Sequence, residues 1–365
     1  MARSDDIRLD LAEFRLLREL FNEHAGIVFN PDSRLVLERR LRDRLAALGL
    51  SSFGEYYQLL RYEERGRAEL DEAIDLVTIN ETYFLREVYQ LRAYKDEILP
   101  ALRAVPHLRE RLSVWSAGCS TGEEVYSIAM LTRESGLFPG RVVRVFGSDI
   151  SRRCVAHARR GVYGPSAFRA MPTELRRRYF TEQPDGAHVT DDLRSICQFG
   201  HMNLLDTPRS SVVGRVDVIF CRNVLIYFDD ASRRRVIEMF YERLLPGGYL
   251  LLGHSESLLN VSTAFELVHL REDLVYRKPL SSTRFWSSGD FFRREGAVLD
   301  PLGRGPFVPM TSSLRAMAVP EPHRPSADEA GSAVRPKPAV PPPPSAPPAV
   351  LPGLAPPKLP RGGSR

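Results

Sequence analysis

Residues 113–129, SVWSAGCSTGEEVYSIA, constrain the fold of this chain more than any other stretch. Val114 and Trp115 favour extended backbone, and Gly118 and Gly122, four apart, can take dihedral angles closed to other residues. Tyr126, Ile128, Ala129 and Met130 then fall on helical faces. The pattern predicts strand, tight loop, helix. Such a unit brings backbone N–H groups and the positive end of a helix to a nucleotide-like ligand at the carboxyl edge of a doubly wound sheet. The glycines form G-x-x-x-G, which is neither G-x-G-x-x-G nor a P-loop, because no Gly-Lys-Ser/Thr follows. A phosphate cradle is therefore not the first expectation. Taken alone, the stretch is also compatible with a plain glycine turn between a strand and a helix.

Residues 112–280 go on alternating strands with helices. A second strand over 142–149 ends at Asp149, a helix covers 151–160, and a third strand covers 216–223. A helix over 231–245, stopped by Pro246-Gly247-Gly248, leads to a strand from Tyr249, and 265–278 close the domain as a hairpin-like pair. This order predicts a mostly parallel α/β sheet covered on both faces. Residues 161–200 break the rhythm at Gly161, Gly164-Pro165, Met171-Pro172 and Pro184-Asp185-Gly186, which predicts a small inserted subdomain.

Residues 1–77 predict an all-α domain, joined to the sheet by a linker over 78–111. Leu9, Phe14, Leu17, Leu20 and Phe21 mark a first amphipathic helix ended near Gly26, with a new start at Asn30-Pro31-Asp32. A second helix over 33–48 aligns Leu37, Leu41, Leu45 and Leu48; a third follows Ser51-Ser52 and a fourth covers about 67–77. Arg39, Arg40, Arg42 and Arg44 flank the leucine stripe. They form either a solvated charged face or a docking surface for an acidic partner.

The formal charge of +5 is unevenly placed: residues 1–280 hold 40 basic and 40 acidic side chains, and 281–365 hold 11 and 6. A balanced folded part argues against a nucleic-acid-coating protein. Residues 301–365 contain 18 of the 28 prolines, so 281–365 are expected to be a disordered Pro-rich tail, either an inert linker or a ligand for a signalling partner. The four cysteines include no C-x-x-C pair, so no zinc site or disulfide framework is expected. The first residues lack a signal-peptide pattern, and no stretch approaches the roughly 18 apolar residues of a membrane span. A cytoplasmic protein, not inserted in a membrane, is expected.

Asp149, at the end of its strand, is placed to accept both hydroxyls of a ribose, although an acid there can equally cap the next helix. At 78–86, TINETYFLR, Asn80, Thr82 and Arg86 combine amide, hydroxyl and guanidinium on adjacent turns, a set suited to the carboxylate of an amino acid. Together the two sites point to an amino acid joined to adenosine.

Across about residues 8–280 the chain resembles the CheR-type chemotaxis receptor glutamate O-methyltransferases. The resemblance rests on T-x-N-E-T-x-F-x-R at 78–86, W-S-A-x-x-S-T-G-E-E-x-Y-S-I-A at 115–129, S-D-I-S at 148–151, N-L-L-D at 203–206, C-R-N-V-L-I-Y-F at 221–228 and L-P-G-G-Y-L-L-L-G-H-S-E-S at 245–257. It implies S-adenosylmethionine as cofactor and a class I, Rossmann-like methyltransferase core over 112–280 with a small inserted β subdomain. It further implies a receptor-recognising helical domain, and methyl-ester formation on glutamates in the cytoplasmic domain of methyl-accepting chemoreceptors.

Carried over by residue, the resemblance puts Asn80, Thr82 and Arg86 at the methionine end of the cofactor, and Glu123 and Asp149 around it, Asp149 at the ribose. Asn203 and Leu204 fall near the adenine, Arg222 and Asn223 beside the methyl group, and Tyr227 towards the substrate. Arg222 and Tyr227 are thus expected to orient the acceptor, and Glu124 keeps a plain helix-start role. Some members capture a receptor C-terminal pentapeptide on a glycine-bearing loop of the β subdomain. Residues 181–199 lack its Gly-x-Gly, so that tether is not expected, and contact through the basic helix and the cleft is.

A glutamate carboxylate, with a pKa of about 4.3 in peptides, is an anion at neutral pH, so no general base and no metal are expected. Cys221 follows Phe220, not the Pro of cytosine C5-methyltransferases, and is expected to be a buried strand residue. Two other functions stand beside this one: a methyltransferase of the same fold acting on a small molecule or nucleic acid, and a non-catalytic scaffold that senses the cofactor.

Overall fold

The structure is a computed structural model that describes residues 7–105 and 111–280; the expectation of a disordered tail over 281–365 lies outside the described residues. Four helices come first: α1 (Leu11–Ala25), α2 (Arg34–Ala47), α3 (Phe53–Tyr62) and α4 (Gly66–Val77). Asp10 and Glu13 form a reciprocal capping box on α1, and the Ser52 hydroxyl accepts the Glu55 N–H of α3 at 3.1 Å. Their apolar faces close on one core that includes Phe14, Leu17, Phe21, Leu37, Leu41, Leu45, Phe53, Tyr56 and Ile74.

Three of the four arginines that flank the α2 leucine stripe are held inside this domain. Arg40 donates to the carbonyls of Val77 and Thr78 at 2.6 and 3.0 Å, and Arg42 donates to Glu38. Arg44 grips Glu69 through Nε at 2.8 Å and a second bond from Nη2, while the Tyr56 hydroxyl donates to the same carboxylate at 2.8 Å. Arg39 is exposed.

Residues 78–111, expected as a linker, instead carry α5 (Val88–Ala93), one π-helical turn (Tyr94–Ile98) and α6 (Leu99–Ala104). Leu91, Tyr94, Ile98 and Leu102 recur at helical spacing and are buried in the core of the sheet domain. The sheet domain then runs β1 (Arg111–Ala117), α7 (Glu123–Glu134), β2 (Val142–Asp149) and α8 (Arg152–Arg160). An insert follows: β3 (Val162–Tyr163), α9 (Thr173–Tyr179), β4 (Phe180–Gln183), β5 (Gly186–Val189) and α10 (Asp191–Ser195). The chain returns through β6 (Cys197–His201), β7 (Val216–Cys221), α11 (Asp230–Arg243), β8 (Leu244–Leu252), β9 (Glu266–His269) and β10 (Leu274–Arg277).

The main sheet has the order β6-β2-β1-β7-β8-β10-β9. Its first five strands are parallel, and β10 lies antiparallel to both β8 and β9. Side chains alternate between two apolar layers: Val114, Val218 and Phe220 face one, and Trp115, Ile219 and Cys221 the other. Strand order reverses between β1 and β7, and crevices at the carboxyl ends beside such a switch are where open α/β sheets bind ligands.

Two expected boundaries move. Residues 197–200 belong to the main sheet, because Cys197–His201 pairs in parallel with residues 145–149 of β2; the insert closes with α10. Strand β8 starts at Leu244, before Tyr249, and Pro246-Gly247-Gly248 lies within it, where the register opposite Val216 and Val218 shifts. Proline donates no ladder bond, so a strand tolerates it at such an irregularity. In the insert, β3-β5-β4 form a second sheet whose β4–β5 hairpin turns through Pro184 and Asp185 alone. Among the described residues no helix is long and apolar enough to cross a membrane.

Candidate active site

The carboxyl ends of β1, β2, β6 and β7 open into a cleft of about 830 Å³, inside the roughly 300–1,000 Å³ usual for small-molecule sites. Its floor comes from the loops after those strands, and one wall from the helical domain, including Ile27, Val28, Phe29 and Val77. That wall is fastened to the sheet domain. Ile27 bridges Phe228, the Val28 N–H donates to the Tyr227 carbonyl at 2.8 Å, and Asn22 donates to Asp229 at 2.8 Å.

Asp149 sits on the cleft wall and is almost wholly buried. Its Oδ2 accepts the Ser120 N–H at 2.7 Å and its Oδ1 the Ser151 N–H at 2.9 Å. Burial holds the pKa of this carboxyl above the usual carboxylate value, and those N–H groups offset only part of the rise. Each oxygen keeps acceptor capacity for a ligand hydroxyl. The loop that meets it turns through positive φ at Gly118 (82°), Ser120 (48°) and Gly122 (96°).

The 78–86 string is not helical. Residues 78–83 have no regular structure, and Leu85 and Glu87 hold left-handed φ of 60° and 53°. Its backbone is pinned from several sides, which helical periodicity could not provide. Phe84 N–H donates to Ala167, Leu85 N–H to the Ser127 hydroxyl, and the Ser120 hydroxyl donates to the Asn80 carbonyl, each at 3.0 Å. The Phe84 ring lies 4.8–5.1 Å from those of Tyr163, Phe168 and Phe180, anchoring the string to the insert. Asn80, Thr82 and Arg86 line the cleft, and Arg86 spares one Nη for the Glu81 carbonyl at 2.8 Å.

Three expectations are redirected. Glu123 is off the cleft wall: its buried carboxylate accepts the Thr121 hydroxyl at 2.6 Å, and burial raises its pKa. Glu124, one helical step round, lines the cleft instead. Arg222 lines it too, but its two Nη atoms are engaged: Nη1 to Glu124 at 2.9 Å, Nη2 to Glu87 at 3.1 Å and to the Arg86 carbonyl at 2.6 Å, while its buried Nε has no partner among the described residues. A guanidinium held between two carboxylates positions cleft walls rather than reaching for an acceptor. Asn203 and Leu204 both line the cleft, as expected, and the Asn203 side chain also ties the helical domain to the sheet: it donates to the His24 carbonyl at 2.6 Å and accepts the Leu205 N–H at 3.0 Å. Asn223, with φ of 59°, and half-buried Tyr227 also line the cleft; burial raises the Tyr227 pKa. Cys221 is fully buried, which raises its thiol pKa.

Comparison with known proteins now decides the family. Residues 80–274 match the model described as CheR methyltransferase, SAM binding domain, and residues 12–78 match CheR methyltransferase, all-alpha domain. The chain belongs to the CheR methyltransferase family. Chemotaxis protein methyltransferase 2 of Vibrio cholerae is 36% identical over 278 residues, covering 75% of this chain and 96% of the relative. The chemotaxis protein methyltransferases of Salmonella typhimurium and Escherichia coli are 37% and 35% identical, over 72% of this chain and 89% and 91% of theirs. This CheR family member is a class I methyltransferase whose cofactor is S-adenosylmethionine.

The cleft suits that cofactor chemically. Asp149 offers carboxylate oxygens to ribose hydroxyls, Ile150, Met202 and Leu204 offer apolar surface to a base, and Arg86 offers a cation to an amino-acid carboxylate. A side chain at Gly118 would fill the space: its Cβ would stand 2.4 Å from Val224 Cγ2.

Proposed function

We propose that this chain esterifies glutamate side chains on the cytoplasmic domains of chemoreceptors, acting in the cytoplasm. The observation that carries the reading is the joint cleft: the loops after β1, β2, β6 and β7 and the helical domain converge on one ligand-sized space. When bound, S-adenosylmethionine supplies a methyl group made electrophilic by a positively charged sulfur. Asp149 would hold the ribose, Asn80, Thr82 and Arg86 the amino-acid end, and Leu204 the base, with Asn203 fixing the loop that carries Leu204. Arg222 and Asn223 shape the edge beside the methyl group, and Tyr227, at the mouth, faces the entering acceptor.

A glutamate carboxylate is already ionised at neutral pH, so these residues have no proton to move. Their work is alignment and exclusion of water, for which well-oriented reactants gain roughly 7–11 kcal/mol in favourable cases. Pairing of Arg222 with Glu124 and Glu87 also keeps it from pairing with, and blunting, the acceptor carboxylate. The helical domain over 1–77 would recognise the receptor, with Arg39 an exposed arginine of α2, and the short two-residue β4–β5 turn supports docking without capture of a C-terminal pentapeptide. The test is mass spectrometry of receptor cytoplasmic fragments incubated with the enzyme and cofactor. Methyl groups on glutamate side chains are expected; methyl groups confined to Lys or Arg nitrogens would defeat the reading.

A further inference from the structure

The loop after β7 carries Arg222, Asn223, Val224, Ile226 and Tyr227 onto the cleft, yet it contains no glycine to absorb its sharp bend. Asn223 instead takes a left-handed φ of 59°, an uncommon conformation for a residue with a Cβ. The bend is held from outside. Glu256, beyond the end of β8, turns its carboxylate into the loop: Oε2 accepts the N–H groups of Asn223 at 2.8 Å and Gly253 at 2.7 Å. Its Oε1 accepts those of Val224 at 2.9 Å and Ile226 at 3.2 Å. Four backbone donors thus occupy about the full acceptor capacity of one carboxylate. Gly253 makes room for this approach, since a Cβ there would stand 2.7 Å from both the Asn223 nitrogen and Glu256 Oε2.

Glu256 is not on the cleft wall. We propose that it is a positioning residue for methyl transfer, which fixes the Arg222–Asn223–Val224 edge of the cofactor cleft through four backbone amides. This rests on the cleft's being the S-adenosylmethionine site. Only a carboxylate serves: an amide in its place turns an N–H₂ group towards backbone N–H donors, so one pair of amides loses its acceptor and meets a donor.

The test uses the full chain with Glu256→Gln and Glu256→Asp. Titration of wild type with S-adenosylhomocysteine, the demethylated cofactor, checks the site reading first; no binding there would sink that reading and this one with it. With binding established, Glu256→Gln is expected to raise the Kd for S-adenosylhomocysteine by about tenfold and lower kcat on receptor fragments by at least about tenfold. Glu256→Asp, which keeps the charge, recovers part of both losses. A Gln variant with Kd and kcat within about twofold of wild type overturns the proposal. So does one whose losses come entirely from a smaller folded fraction, with Kd and KM of the folded remainder unchanged. Should the variant not fold, amide exchange on wild type decides: Asn223, Val224 and Ile226 are expected to be protected, and free exchange at all three overturns the assignment.

Discussion

Two loops meet across the cofactor cleft, and they are shaped by opposite means. Residues 118–122, after β1, bend through Gly118 and Gly122 and are met by Asp149 from the neighbouring strand. Residues 222–226, after β7, bend at Asn223 and depend on side chains from other elements: Glu124, Glu87 and Glu256. They touch where Gly118 faces Val224. The first shape is written in local residue types. The second exists only once β8 and α7 are in place, so it can be lost through residues that never meet the ligand.

The largest predicted effect lies at the second loop. Arg222→Ala leaves Glu87 and Glu124 without their cation in a mostly buried setting, and breaking such a pair from one side costs about 3–5 kcal/mol. A urea titration is expected to show that loss with methyl transfer abolished; a stability unchanged from wild type would mean the cluster is solvated. Next comes Asp149→Ala, which removes the acceptor of the Ser120 and Ser151 amides as well as the proposed ribose partner. Hydrogen bonds to charged groups are worth about 1.5–3 kcal/mol, so cofactor affinity should fall about 100-fold by calorimetry.

Gly118→Ala probes the meeting point. Left-handed backbone costs a residue with a Cβ about 1–2 kcal/mol, and the new methyl also meets Val224, so affinity should fall by at least about tenfold. Adding Val224→Ala is expected to restore part of the loss, the steric part alone. Full restoration would show that φ at 118 is unimportant, and none would show that the loops do not touch. Smallest is Arg39→Glu, exposed and off the cleft wall: stability should stay within about 0.5 kcal/mol and cofactor binding unchanged, while receptor affinity drops. Arg44→Ala behaves differently, because it strips buried Glu69 of its bidentate partner and lowers thermal stability.

The same contrast explains what was legible in the sequence. Helical stripes, the β-α alternation, Gly118 and Gly122, and Asp149 at a strand end depend on near neighbours, and the chain displays them. Leu91, Tyr94, Ile98 and Leu102 carried a helical period too, but in short pieces joined by a π turn, so 78–111 looked like a linker. Strand β6 is five residues long and is fixed by pairing with β2, not by its own pattern. The exchange of Glu123 for Glu124 turns on which face of α7 meets the cleft, and two adjacent carboxylates carry no mark of that. The tying of Arg40 to α4, Arg222 to Glu87 and Asn203 to His24 spans distances along the chain that no local signal reports.

Formation of a methyl ester in this cleft is tested most directly by alkaline release. Receptor cytoplasmic fragments are incubated with the enzyme and S-adenosylmethionine labelled in its methyl group, then treated with mild base. Label released as volatile methanol, and absent with Asp149→Ala, is the predicted result. Label that resists base, or that appears only on small molecules or nucleic acid while the receptor stays unlabelled, would contradict it.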